Sequence, residues 1–169
     1  LSKEKPMEHF VVSGLVLNEK EAKVTIKELQ DKPGIAGFIF TPLAEVNINV
    51  DMIIQSSSEH GRNDITFTVE GKDLEAVKRV MGKVKETLGA QEVVYDADMA
   101  KVSLVGAGMQ SHPGVAARMF SALGKKGINI DLISTSEIKI SCVVKRDKGS
   151  EAARAIHEEF KLEKEEEIE

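Results

Sequence analysis

Asp31, followed closely by Pro33 and Gly34, sets a carboxylate beside a dipeptide that favours opening a helix. A carboxylate can hold an ammonium, and the free N–H groups at a helix start can hold a small anion. Together they suit the two charged ends of a small α-amino acid, and neither interaction requires catalysis. The Pro-Gly opening occurs twice, with Ser111 in the second copy where the first has Asp31. Asp31 to Asp51, DKPGIAGFIFTPLAEVNINVD, returns as Ser111 to Asp131, SHPGVAARMFSALGKKGINID, with Pro33 and Pro113, Phe40 and Phe120, and Asp51 and Asp131 each 80 residues apart. A repeat this free of gaps marks two copies of one structural unit. Each copy ends on polar residues within an apolar run, Asn49-Val50-Asp51 and Asn129-Ile130-Asp131, where a pure core would favour Val or Ile.

Other chemistry is poorly supplied. His9, His60, His112 and His157 show no zinc-like spacing with Cys142, so no metal site is expected. Neither a Walker-type nor a dinucleotide-type glycine loop is present; Gly106-Ala107-Gly108 is only a fragment of the second, and no cofactor is implied. Ser111-His112 lacks a third member for nucleophilic catalysis and reads better as a cap on the helix opened by Pro113. No catalytic residue is assigned.

The elements that position the repeated turns follow from periodicity. Phe10 to Leu17 reads as a buried strand, Asn18 to Glu21 as a polar turn, and Ala22 to Leu29 as a strand with one wet face. A helix follows Pro33-Gly34, and Pro42 within it predicts a bend or a short helix. Strands are expected over Ile48 to Ile54 and Ile65 to Val69, joined by a polar hairpin from Ser56 to Asp64. A helix from about Asp73 to Leu88 carries the stripe Leu74, Val77, Val80, Met81, Val84 and Leu88 and stops at Gly89. Val93 to Tyr95 completes a β-α-β-β-α-β unit.

The second unit begins at Ala100-Lys101-Val102, matching Ala22-Lys23-Val24. It continues through strand 101–105, the Pro113-Gly114 helix, strands 128–134 and 138–144, and a helix from Ser150 to Phe160. The acidic tail KLEKEEEIE cannot supply its fourth strand, whereas Phe10 to Leu17 can. The expected fold is α+β: two ferredoxin-like modules, each a four-stranded antiparallel sheet with two helices on one face. The first spans 20–97, the second 8–19 plus 98–161, and 162–169 is an acidic tail.

The 169 residues and 41% hydrophobic content suit two small cores. A net charge of −5 and 4% aromatic residues argue against nucleic acid as a partner. No apolar run is long enough to cross a bilayer, and the N-terminus has no signal-peptide core, so no membrane partner is expected. The single cysteine, Cys142, lies in an apolar run as an inert core residue, and a cytoplasmic location fits it best. Because residue 1 is leucine, a fragment or a processed chain is expected.

AKVTIKELQDKPG, NINVDMIIQ, AKVSLVGAGMQSHPGVA and GINIDLISTSEIKISCVV resemble the regulatory region of aspartate kinases, a tandem pair of amino-acid-binding ACT domains, over essentially the whole chain. The resemblance implies the interleaved topology already reached from the missing strand. It implies lysine, threonine or both as effectors, held between paired modules, and a kinase acting on the β-carboxylate of aspartate. It places effector contacts on Asp31, Gly34, Ala36, Asn49, Val50, Asp51 and Gln55. In the second unit these fall on Met109, His112, Gly114, Val115, Ala116, Asn129, Ile130, Ser136 and Glu137. Ala116 stands where some relatives carry a hydroxyl residue.

The family's kinase domain, with its Lys-Phe-Gly-Gly-type start, is not in the sequence, so the chain is expected to be a separate regulatory subunit or the C-terminal part of a longer enzyme. A homodimer bound to the catalytic subunit or domain is implied. Two other readings share the fold: an acylphosphatase-like hydrolase and a purely structural dimerisation module. The hydrolase needs an arginine or dense phosphate loop after its first strand, which Gln30-Asp31-Lys32 and Met109-Gln110-Ser111 do not supply.

Overall fold

The computed structural model describes residues 11–57, 60–107 and 113–165. In chain order the elements are β1 (Val11–Gln30), α1 (Ile35–Glu45), β2 (Ile53–Ser57), β3 (Arg62–Glu70), α2 (Leu74–Leu88), β4 (Glu92–Ala107), α3 (Gly114–Lys125), β5 (Leu132–Thr135), β6 (Lys139–Lys145) and α4 (Gly149–Glu165). The chain divides into two compact units, one of Lys20–Met99 and one of Leu1–Glu19 with Ala100–Glu169. Strand neighbours run β2-β3-β1-β4 in the first and β1-β4-β6-β5 in the second. The result is α+β, with two helices packed together in each unit: α1 with α2, and α3 with α4.

Two expected breaks are absent. Asn18 to Glu21 is no turn but the middle of the 20-residue β1, and the expected strands at Val93 and Lys101 are both parts of the 16-residue β4. Neither stretch contains the glycine or proline that would reverse the backbone. Both unit boundaries fall inside these strands, so the extended backbone is used on either side of each boundary and a turn would disrupt both sheets.

The first core is the inward face of β1 (Ala22, Val24, Ile26), that of β3 (Ile65, Phe67, Val69), and the stripes Ile35-Ile39-Leu43 of α1 and Val77-Met81-Val84 of α2. Period two meets period three to four here, as the alternating and helical patterns require. The second core repeats it with Val102, Leu104, Cys142, Val144, Met119, Leu123, Ile156 and Phe160, and Leu15 and Leu17 of β1 pack against it.

Pro42 does not shorten α1, which runs on to Glu45. A proline inside a helix costs about 3 kcal/mol; buried Ile39 and Leu43 on either side offset it, each contributing about 1.5–3 kcal/mol of apolar burial. The strands after α1 and α3 are shorter than expected, starting at Ile53 and Leu132 rather than Ile48 and Ile128. The lead-in to β2 is tied to Thr68: Asp51 N–H donates to its carbonyl (3.0 Å), its N–H donates to the Met52 carbonyl (3.1 Å) and Met52 N–H donates to its hydroxyl (3.1 Å). In the lead-in to β5, Asp131 N–H donates to the Val143 carbonyl (2.8 Å).

Candidate functional site: the cleft at the start of α1

An irregularity in β1 aims the first Pro-Gly turn. β1 pairs antiparallel with β3, Ile26 opposite Ile65 and Leu29 opposite Asn63, so one strand carries an extra residue between these pairs. That bulge contains Glu28, held at φ 61 although it is not glycine. Two contacts hold it there: Glu28 N–H donates to the Asp64 carboxylate, and the Arg62 guanidinium donates to the Glu28 carbonyl, both at 3.0 Å. A bulge bends its strand and re-aims the residues just beyond it, here Leu29 to Asp31. Asp31 N–H then donates to the Gly61 carbonyl at 2.9 Å, fixing the entry to the turn.

Gly34 caps α1 with φ 92, a left-handed conformation that side chains disfavour. The first bond of the helix runs from Phe38 N–H to the Gly34 carbonyl at 3.0 Å. The N–H groups of Ile35, Ala36 and Gly37 therefore have no partner within the helix. No side chain caps this end and its first turn has no acidic residue, which leaves the positive end of the helix available to an anion.

Around this helix start lies a cleft of about 110 Å³. It gathers Asp31, Gly34 and Ala36 from the turn and Gln55 from β2, and adds Gln30, Lys32 and Asn63, which are not among the contacts expected from sequence. Asn63 had a legible signal: it lies two residues before Ile65 on the inward phase of β3, and is buried there (4% exposed).

The remaining expected contacts are not in this cleft. Asn49 and Asp51 are exposed and Val50 is half-buried in the α1–β2 connection, with Val50 packed on the first core. In the second unit, Gly114 is exposed, Val115 is buried in the core and Ala116 is half-buried in the first turn of α3. Asn129 is exposed and Ile130 packs on the second core. Ser136 and Glu137 are exposed in the β5–β6 connection, where Ser136 N–H donates to the Lys139 carbonyl at 2.8 Å. Met109 and His112, and with them the capping role of Ser111 or His112, lie outside the described residues.

A larger groove of about 740 Å³ runs between α1 and α2, lined by Phe38, Pro42, Val46, Val80 and Val84 with Arg79 and Lys83. Glu45 and Thr87 also line it, and it contains no helix start. Among the described residues, no group of His, Cys, Asp and Glu could hold a metal ion. None of their helices is long and apolar enough to cross a membrane.

Two βαββαβ units, the first with Gly34 capping its first helix and the second with Pro113 at the cap and Gly114 inside the helix, define a tandem protein of ferredoxin-like modules. A family model for the ACT domain matches residues 24–84 and 102–160. The chain belongs to the ACT domain family, in the form found in the regulatory part of aspartate kinases. It is similar to the aspartate kinase of Pseudomonas fluorescens (strain SBW25), 46% identical over 162 residues, which are 96% of this chain and 39% of that protein. The aspartokinase of Corynebacterium glutamicum is 46% identical over 159 residues, 93% of this chain and 38% of its own length. This chain thus spans well under half of these curated relatives. The ligand-free regulatory subunit of aspartate kinase from Thermus thermophilus superimposes with a TM-score of 0.83 at 38% identity, covering 89% of this chain and 99% of that one. The 169 residues therefore correspond to the regulatory part and not to the kinase domain.

Proposed function

We propose that the chain senses lysine, threonine or both and couples their binding to feedback inhibition of an aspartate kinase, working as a homodimer with the catalytic subunit or domain in the cytoplasm. One observation carries the reading: Asp31, Gly34, Ala36 and Gln55 meet in one cleft at an uncapped helix start. There the effector carboxylate sits on the N–H groups of α1, its ammonium on Asp31, and its side chain towards Gln55. The Asn49–Asp51 and Asn129–Asp131 segments, with Asn49, Asp51 and Asn129 exposed, supply contacts to effectors held by a facing module of a second copy. The matching turn and strand residues of the second unit, Met109, His112, Gly114, Val115, Ala116, Ser136 and Glu137, take the corresponding roles there. We assign the modules to 20–97 and to 8–19 plus 98–161.

An effector that favours one arrangement of paired modules shifts the linked equilibrium by its difference in affinity for the two states. Coupling of about 1–3 kcal/mol changes that equilibrium roughly 5- to 150-fold. The kinase regulated in this way phosphorylates the β-carboxylate of aspartate. Calorimetric titration of the chain against the twenty amino acids tests the reading. Selective binding of lysine or threonine is expected, and heat from none of the twenty would overturn it.

A further inference from the structure

Asn63 is an unexplained residue of the first unit. Its side chain is buried in the wall of the cleft at the start of α1, and its Oδ1 has no hydrogen-bond partner. A buried carbonyl oxygen without a partner costs stability, and most buried polar groups are paired. The strand pairing does not require an amide at this position. In the second unit Ile140, Cys142 and Val144 stand where β3 has Ile65, Phe67 and Val69, and the residue two before Ile140 is Ile138, which is exposed and precedes β6.

The neighbours of Asn63 fix where it points. Arg62 and Asp64, on either side, are the residues that hold the Glu28 bulge. Asn63 is paired with Leu29 on β1 and with Ser57 on β2, while Gln55 is paired with Ile65 one step along the same face. Asn63, Ile65 and Gln55 all line the cleft, which places the Asn63 and Gln55 amides on the strand wall of a space also lined by Leu29, Gln30, Asp31, Lys32 and the start of α1. Flanking residues that are themselves held in place keep such a group in position before any ligand arrives.

We propose that Asn63 is a specificity-determining contact of this cleft. Its Oδ1 accepts a hydrogen bond from an N–H or O–H on the side chain of the bound amino acid, and so selects polar side chains over apolar ones of the same shape. The inference rests on the reading of the cleft as an amino-acid site, and deepens it. An apolar side chain leaves the buried oxygen unpaired in the complex, whereas a donor satisfies it; sites built in this way discriminate strongly against analogues that lack the donor. The first unit carries this selectivity.

The test compares threonine with valine, and lysine with norleucine, by calorimetry on the whole chain, in the wild type and in Asn63→Leu and Asn63→Asp. The wild type is expected to favour the donor-bearing member of at least one pair by roughly tenfold or more. Asn63→Leu should bring that preference to near unity, and Asn63→Asp, which keeps an acceptor oxygen, should retain it. Thermal midpoints separate this role from a structural one: removal of an unpaired buried oxygen should leave Asn63→Leu at least as stable as the wild type. If Asn63→Leu binds with an undiminished preference, or melts well below the wild type, the assignment of Asn63 is overturned while the amino-acid site stands. If the wild type binds no amino acid, the site itself is wrong and this inference with it.

Discussion

The hydroxyls of Ser103 and Ser141 share a 2.8 Å hydrogen bond across β4 and β6, both residues buried. At the matching place in the first unit, Thr25 and Thr66 share one of 3.0 Å across β1 and β3. The pair is a test of how a buried polar contact behaves. Ser103→Ala or Ser141→Ala alone leaves a hydroxyl without its partner and should cost about 1–3 kcal/mol. The double variant removes both polar groups and should cost less than the sum of the two. Urea denaturation of all four proteins measures the coupling, and strict additivity would argue against it.

Ligand contacts and core contacts should separate. Asp31→Ala and Gln55→Ala, at exposed positions lining the cleft, should weaken effector binding and relieve inhibition of the assembled kinase with little change in thermal midpoint. Phe40 meets Phe67 edge to face with ring centroids 5.3 Å apart. Phe40→Ala should cost about 3 kcal/mol, the lower end for a buried phenylalanine because Phe40 is half-buried, and should impair binding and stability together. Native affinity for lysine and threonine in both Asp31→Ala and Gln55→Ala would move attention to the second unit.

Gly34→Ala tests the turn without adding a clash. An added Cβ meets nothing within 4 Å, but φ is +92 there. A loss of about 1–2 kcal/mol from backbone strain alone is expected, with a further fall in effector affinity as the start of α1 shifts. An unchanged thermal midpoint would show that the turn tolerates a side chain.

Cys142 lies in β6 without exposure, and burial pushes its thiol from 9.0 up to about 12. Between those values the unfolded chain has lost the proton and the folded chain keeps it, so stability falls as pH rises. The contribution is complete below about pH 9 and is lost towards pH 12. Wild type should therefore lose thermal midpoint more steeply than Cys142→Ala between pH 9 and 11. Parallel curves would contradict this, as would rapid alkylation of the native thiol at pH 8.

The chain alone should show no kinase or phosphatase activity, because its matches to aspartate kinases cover only the regulatory part. Robust ATP consumption with aspartate by pure protein without a partner would overturn this expectation.

What the residues alone disclosed was whatever depends on near neighbours. The Pro-Gly turns, the α2 stripe ending at Gly89, the alternation of Ile65, Phe67 and Val69, and the apolar setting of Cys142 are set by backbone preference and by which face of an element is wet. The 80-residue repeat doubled the signal of the Pro-Gly turns. The length of β1 was not legible, because Asn18 to Glu21 is polar like a turn and remains extended only within the sheet. Pro42 misled for a similar reason, since packing of Ile39 and Leu43 outweighs its local penalty. The short β2 and β5 depended on distant bonds to Thr68 and Val143.

The site divided along the same line. Asp31, Gly34, Ala36 and Gln55 were readable because they cluster around a recognisable turn and the strand beyond its helix. Asn63 belongs to a strand more than thirty residues from Glu28 in sequence, and no local pattern states that a bulge at Glu28 turns β1 so that Asn63 faces the helix start. Local chemistry determined which groups can bind an amino acid. Only strand pairing over long separations, which sets register and twist, decided which of them share a cleft.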